Sequence, residues 1–395
     1  MRRGQATARP AVSDARMPAA GGSRRAAAAV SLAFALAGCG MADYYWQGAA
    51  GQLDVVARAK PLDEAIGATD DARLKERLER ARAIRAFASA ELALPDNGSY
   101  TRYADLGRPF VVWNVVATPA LSLVAHEWCF PVAGCVSYRG YFREDDARAE
   151  AARLAAQGYD VHVGGVPAYS TLGWFDDPLL SSFIRYPDVE LARLIFHELA
   201  HQVVYVKDDS TFNESFATAV EEAGLARWIA SRPPAEGARL AAQRDRNERL
   251  RAEFRRLVAE ARVQLAALYA SDAGEDAKHR AKAEAFEAMR EAYTRAKAGE
   301  PGLAGYDRWF AGDGGAGPNN ASLASIGLYT DELPAFRALL VQEEGDLPRF
   351  YARVRELAAL PKAERRAALA PLASPEARPA GAPPRSRDAR GAAVS

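Results

Sequence analysis

A chain of 395 residues, 49% hydrophobic and 26% charged, has an ordinary globular composition, with enough apolar material for a sizeable core. Its 51 basic and 51 acidic side chains cancel, so the balance carries no electrostatic footprint for nucleic acid. One domain, or two packed closely, is expected at this length.

The first segment reads as targeting rather than fold. Arg24 and Arg25 precede the apolar run Ala26 to Leu36, which is short for a membrane span and ends in Leu36-Ala37-Gly38-Cys39. That ending resembles a bacterial lipobox, with Cys39 as the lipidated residue and residues 1–38 as the signal; an uncleaved anchor or a plain secretory signal is the alternative. Met17 gives the signal a more usual length than Met1. By the lipoprotein sorting rule, Gly40 after the cysteine favours the outer membrane, facing the periplasm. No later apolar run is long enough to cross a bilayer. The expected body, residues 39–372, is therefore held to a membrane only by its lipid.

Residues 43–94 have helical texture, with Leu74, Leu78, Ala81 and Ile84 on one face and Pro95-Asp96-Asn97-Gly98 as a stop. A helical layer over about 43–95 is expected, followed by an α+β part over about 100–187. Its β-branched and aromatic runs, 110–116, 121–124 and 136–142, are candidate strands. An Ala-rich helix over 144–157 and a strand over 159–163 follow. Cys129 and Cys135 form an even pair across a Pro/Gly loop, which reads as a disulfide in an oxidising compartment; free thiols or metal ligands are the alternatives. From Asp188 to residue 372 the pattern is helical, and the charged stretch 238–298, broken near Ser271-Asp272-Ala273-Gly274, reads as a solvated hairpin. Residues 373–395, rich in Pro, Ala and Arg, have the composition of a disordered tail.

The chemistry concentrates in Phe196-His197-Glu198-Leu199-Ala200-His201. Apolar residues at 191, 194, 195, 199 and 203 make this a helix with one buried face, and residues four apart point the same way. His197 and His201 can therefore grip one ion, with zinc the metal that suits them, while Glu198 can reach a water at the open coordination position and take its proton. A catalytic zinc site needs a third protein ligand. Glu214, in Phe212-Asn213-Glu214-Ser215-Phe216, is the candidate, with Glu221 and Glu222 in reserve. Thr211 and Glu214 also have the spacing of a capping box, which is the competing structural reading. A tetrahedral intermediate needs a further donor; Tyr329 and Tyr169 are candidates for that role or for substrate contact, each also readable as core. Peptide would lie along a sheet edge near 166–171. His126 and His162, on candidate strands, read as structural.

HELAHQVVY followed by FNESFA resembles the gluzincins, zinc peptidases whose third ligand is a Glu on the next helix. Together with WCFPVAGCVSYRGYF, AYSTLGWFDDPLL and NNASLASIGLYTDELPAF, these motifs resemble a family of bacterial lipoproteins that are predicted aminopeptidases, over roughly 39–360. The resemblance implies zinc, hydrolysis of a peptide substrate and an α+β fold. In that fold a zincin-like metallopeptidase core, a small mixed sheet plus zinc-site helices, is embedded in a mostly helical protein. The chain departs from better-known gluzincins at Ala217, where they carry an acid that orients a zinc histidine, so Glu221 or an acid from elsewhere must serve. It also lacks their Gly-x-Met-Glu-Asn segment for the substrate amine, which leaves endopeptidase against aminopeptidase open. A zinc-binding envelope scaffold without activity is the reading from another class. Glu198 argues against it, since a structural site does not need that acid.

Overall fold

The structure, a computed structural model, describes residues 43–130, 134–312, 317–326 and 332–373. The chain divides into two units, Met1–Ala50 and Gly51–Ser395. In the first, residues 43–50 are helical. Cys39, Tyr329 and the expected tail from 374 onward lie outside the described residues.

The second unit opens on helical residues 51–58 (α1), then a short strand Lys60–Pro61 (β1), α2 (Leu62–Ala68) and α3 (Ala72–Leu92). The helical texture of 43–94 is thus not one helix. Pro61 has no N–H for a helix interior, and Asp71 starts a fresh helix by accepting from the backbone N–H groups of Arg73 and Leu74 at 2.9 and 3.1 Å. Leu78, Ala81, Ile84, Ala88 and Leu92 form the buried stripe of α3.

Strands are few and short. β1 pairs antiparallel with β2 (Arg102–Ala104), which pairs parallel with β8 (Leu179–Leu180). The second sheet is antiparallel in the order β6 (Arg139–Tyr141), β3 (Val112–Pro119), β7 (Tyr159–Val166), with α4 (Glu144–Ala155) against it. β4 (Trp128–Phe130) and β5 (Gly134–Val136) form a hairpin closed by a Cys129–Cys135 disulfide. The expected strand at 121–124 is a turn instead: Ser122 N–H bonds back to Pro119 O at 3.1 Å, and Ser122 Oγ accepts from Val124 N at 3.0 Å. A hydroxyl that caps its own backbone competes with a ladder, whatever the apolar neighbours prefer. The run 136–142 divides between two sheets at Ser137 and Tyr138.

From Asp188 onward the chain is helical: α5 (Asp188–His201), α6 (Ser210–Ala230), α7 (Pro234–Ala270), α8 (Glu275–Gly299), a 3-10 turn Pro301–Tyr306, α9 (Asp307–Ala311), α10 (Asn320–Ser325), α11 (Leu333–Gln342), α12 (Leu347–Ala358) and α13 (Lys362–Ala373). The protein is α+β and mostly helical. A main core gathers α3, α5, α6 and the C-terminal helices, with Phe216 against Phe336, Phe350 and Tyr351. A second core lies within the charged hairpin, where Phe254, Leu257 and Leu265 of α7 meet Phe286, Met289 and Tyr293 of α8. The NNAS segment laces this hairpin to the second sheet. Asn320 donates from its backbone N–H to Asp160 at 3.0 Å and from its amide to Ala120 O at 2.9 Å, and Lys282 pairs with the same Asp160 at 2.6 Å.

The helix pair that matters for function crosses at a glycine. A Cβ on Gly224 of α6 would stand 2.7 Å from Leu92 of α3 and 3.0 Å from Phe196 of α5. Gly224→Ala is expected to destabilise the fold by about 1–3 kcal/mol, because the buried Leu92 and Phe196 side chains must shift within a packed core. A denaturant midpoint equal to that of the parent would show that the crossing has slack.

Candidate active site

Helix α5 is anchored at its first turn. Asp188, in its first turn, is bonded by Arg77 and lies 3.4 Å from Arg80, while Glu190 accepts from Asn247 at 2.6 Å and Arg251 at 3.1 Å. Val189, Ala192, Ile195, Phe196, Leu199 and Ala200 are buried, which fixes the rotation of the helix and turns His197 and His201 towards α6. The turn between the helices is pinned from both sides. Asn213, itself buried, donates to Val206 O and accepts from Val206 N, each at 2.8 Å. Asp209, just before α6, holds the buried guanidinium of Arg365 at 2.6 Å. Asn213 thus locks the backbone one residue before Glu214. The capping-box reading of Thr211 and Glu214 does not hold, because α6 starts at Ser210 with Asp209 in the cap position.

The outcome is a convergent donor set. His197 Nε2 lies 3.1 Å from His201 Nε2 and 3.2 Å from Glu214 Oε2, and His201 Nε2 is 3.6 Å from Glu214 Oε1. All three ligand atoms fall within 4.8 Å of one another, so the cluster could hold a metal ion. Two neutral imidazole nitrogens and one carboxylate oxygen fit a small divalent cation. The other edge of His197 supports this: Nδ1 sits 2.9 Å from Glu221 Oε2, and Arg193 bonds the second oxygen of that carboxylate. With a metal at the cluster, Glu221 would favour the tautomer of His197 that has Nδ1 protonated and the Nε2 lone pair free to ligate. Glu222 points elsewhere, to a two-bond pair with Arg337 on the outer side of α6. Among the described residues His201 Nδ1 has no hydrogen-bond partner.

Charge runs high in this corner. With the chain's own groups alone, burial opposes protonation of His197, but hydrogen bonds from Glu214 and Glu221 outweigh it and hold that imidazole well above its ordinary value. Burial and then the neighbouring His197 push His201 down to about 4. For Glu198 burial dominates and carries the carboxyl up to about 7, with Glu214, Asp177 and Glu221 adding to it and His197 opposing. Carboxylates this close without a cation repel, and a divalent ion at the three ligand atoms would relieve that repulsion.

Tyr169 stands on the loop after β7 and lines a small pocket with Tyr100 and Asp177. Its hydroxyl bonds Gln52 and its ring packs edge-on against Phe142 at 6.1 Å. The loop it stands on follows the edge strand β7 rather than extending it. His126 packs against Trp128 and Tyr159 with centroids at 4.7 and 5.6 Å, and His162 lies within β7 opposite Val116. Two tyrosines not singled out by the sequence come nearer. The Tyr205 ring is edge-on to His201 at 6.5 Å. Tyr100 is buried, its hydroxyl has no hydrogen-bond partner among the described residues, and its proton is held by burial and then by the charges of Glu198 and Asp177.

A mostly helical α+β protein with two histidines and a glutamate from adjacent helices around a shared point, and an acid beside them, has the makings of a hydrolytic metal site. Residues 43–369 match the family described as "Putative aminopeptidase", and the chain belongs to it; this is a peptidase family. No curated protein and no solved structure matches the chain.

Proposed function

We propose that this protein is a zinc-dependent aminopeptidase of the gluzincin kind with a zincin-like core, tethered to the bacterial cell envelope through a lipid on Cys39. The observation that carries the reading is the convergence of His197, His201 and Glu214, braced by Glu221 on the far side of His197. When bound there, zinc supplies Lewis acidity that polarises the scissile carbonyl and acidifies a water. Glu198, beside the donor set on the same helix, would take the proton from the attacking water and pass it to the leaving amine. Glu221 and Arg193 keep His197 in the ligating tautomer. No helix among the described residues is long and apolar enough to cross a membrane, so membrane attachment in this reading rests on the lipobox-like Leu36-Ala37-Gly38-Cys39, with residues 1–38 removed as signal.

The full chain is expected to bind one zinc and to cleave peptides from a mixed library. Chelation should abolish the activity and zinc should restore it. A chain that takes up no zinc, or that holds zinc and cleaves nothing, would overturn the enzymatic reading. Cys39→Ser is expected to shift the protein from the membrane to the soluble fraction of cells, and continued membrane fractionation would remove the lipid anchor from the proposal.

A further inference from the structure

Glu198 and Gln202 stand four residues apart and share one partly exposed face of α5. The loop 170–177 runs beside that face. A Cβ on Gly173 would stand 3.9 Å from Gln202 Oε1, and Asp176 closes over Gly98, next to the Asn97 that donates to the same Gln202 at 2.8 Å. At the end of the loop Asp177 is buried, its backbone carbonyl accepts from Tyr100 N–H at 2.6 Å, and its charge reaches the Glu198 carboxyl.

The loop is tightly bonded within itself. Thr171 Oγ1 accepts from Phe175 N–H and donates to Phe175 O, each at 3.1 Å, and Thr171 N–H bonds Asp177 at 2.9 Å. Trp174 N–H closes a turn onto Thr171 O at 3.0 Å. That turn takes two left-handed residues in a row, Leu172 at φ 57° and Gly173 at φ 83°. Glycine adopts this backbone freely but leucine does not, so the fold accepts strain to hold the tip in one shape, as happens at ligand sites. What the tip presents to solvent is apolar: Trp174 is 86% exposed and Phe175 46%. Large aromatic side chains left in water beside a site mark a contact surface. Tyr205, half-exposed with its ring edge-on to His201, adds a third open aromatic at this end of α5.

We propose that Trp174 and Phe175 wall a specificity subsite that takes a large apolar side chain of the peptide, at a residue flanking the scissile bond. This rests on the peptidase reading and deepens it by naming the kind of side chain selected. The tip sits beside Gln202, four residues and so about 6 Å along the helix axis from Glu198. An extended peptide advances about 3.3 Å per residue, so a residue next to the bond at Glu198, or one further on, has its side chain at the tip. An indole face removes apolar surface from water without needing a charged partner. Trp174 and Phe175 set specificity here; the chemistry stays with Glu198.

The test is equilibrium binding to the full-length Glu198→Gln chain in the presence of zinc, with tetra-alanine and its four single-phenylalanine versions as probes. At one position or more phenylalanine is expected to tighten binding about tenfold, the order for one apolar side chain gaining a wall. Adding Trp174→Ala should erase that gain. Trp174 lies largely in water, so the variant is expected to melt with its parent. Trp174→Tyr, which keeps an aromatic face, is expected to retain most of the gain. Phenylalanine peptides that bind no tighter than tetra-alanine at any position would overturn the proposal, and so would a gain that survives Trp174→Ala. A bilayer contact gives a different result: the Cys39→Ser chain would sediment with phosphatidylethanolamine and phosphatidylglycerol vesicles, Trp174→Ala would release it, and the peptides would bind equally, which also overturns the proposal. Failure of the peptidase reading looks different again, since it shows as a parent chain that binds no zinc or cleaves nothing.

Discussion

Glu198→Gln is expected to lower kcat/KM for peptide hydrolysis by about 10²–10⁴-fold, the usual contribution of a positioned proton carrier, while zinc content stays at the parental level. Glutamine keeps the size and hydrogen-bonding reach of the side chain but can neither take a proton from water nor return one to an amine. His197, His201 and Glu214 are untouched by the change, so metal and activity should separate. Steady-state kinetics beside metal analysis would check it. A variant with a tenth or more of parental activity would remove Glu198 from the mechanism, and one that lost its metal would make it structural instead. The metal-free chain offers an independent readout. Glu198 is raised from 4.5 to about 7 in the fold, so its contribution to stability is fully present below about pH 4.5 and is lost as pH rises through about 7. Glu198→Gln should flatten that part of the stability profile of the metal-free chain.

How much of this was legible beforehand follows from how far each feature is set by local residues. The His197 and His201 pair depends on one helix with a strong apolar face, and a helix period can be counted along a sequence. Glu214 was legible as a candidate because the following helix starts nearby, but whether it ligates or caps depends on where that helix begins. Asp209 and the pinned Asn213 decide this through partners as distant as Arg365. Glu221 stood among the reserve ligands and as the stand-in for the acid replaced by Ala217; the structure gives it the orienting position on His197, and gives Glu222 to Arg337. Asp177 and Tyr100 were invisible. They lie 77 residues apart, 100 against 177, and meet only because β2 pairs in parallel with β8, a register that no local pattern encodes. The expected strand at 121–124 failed for the opposite reason: its apolar residues were correctly seen, but one serine hydroxyl closed a turn on its own backbone.

Replacing Glu221 should weaken metal binding as well as folding, and the two effects can be told apart. Its carboxylate joins His197 Nδ1 on one side to Arg193 on the other, with its own side chain 6% exposed and that of Arg193 22% exposed. Burial works against its charge, but the bond to His197 and the attraction of Arg193 outweigh it and hold its carboxyl below 4.5. That contribution is present above about pH 4.5 and fades only as pH falls below it, so at neutral pH it is fully in force. Glu221→Ala leaves Arg193 without its partner inside the fold and should cost about 3–5 kcal/mol, the range for breaking a buried pair from one side. Glu221→Gln keeps the volume and should cost less. Both release His197 to the tautomer whose Nε2 carries the proton and cannot ligate, so zinc affinity should fall by about 10–100-fold. Chelator competition measures the affinity, and thermal melting of the metal-free chain measures the fold. A purely structural glutamate would lower the melting temperature and leave the affinity of the surviving folded protein unchanged. Loss of affinity in Glu221→Gln under conditions where it remains fully folded is the expected result, since the proton on His197 is decided by the group on its far edge.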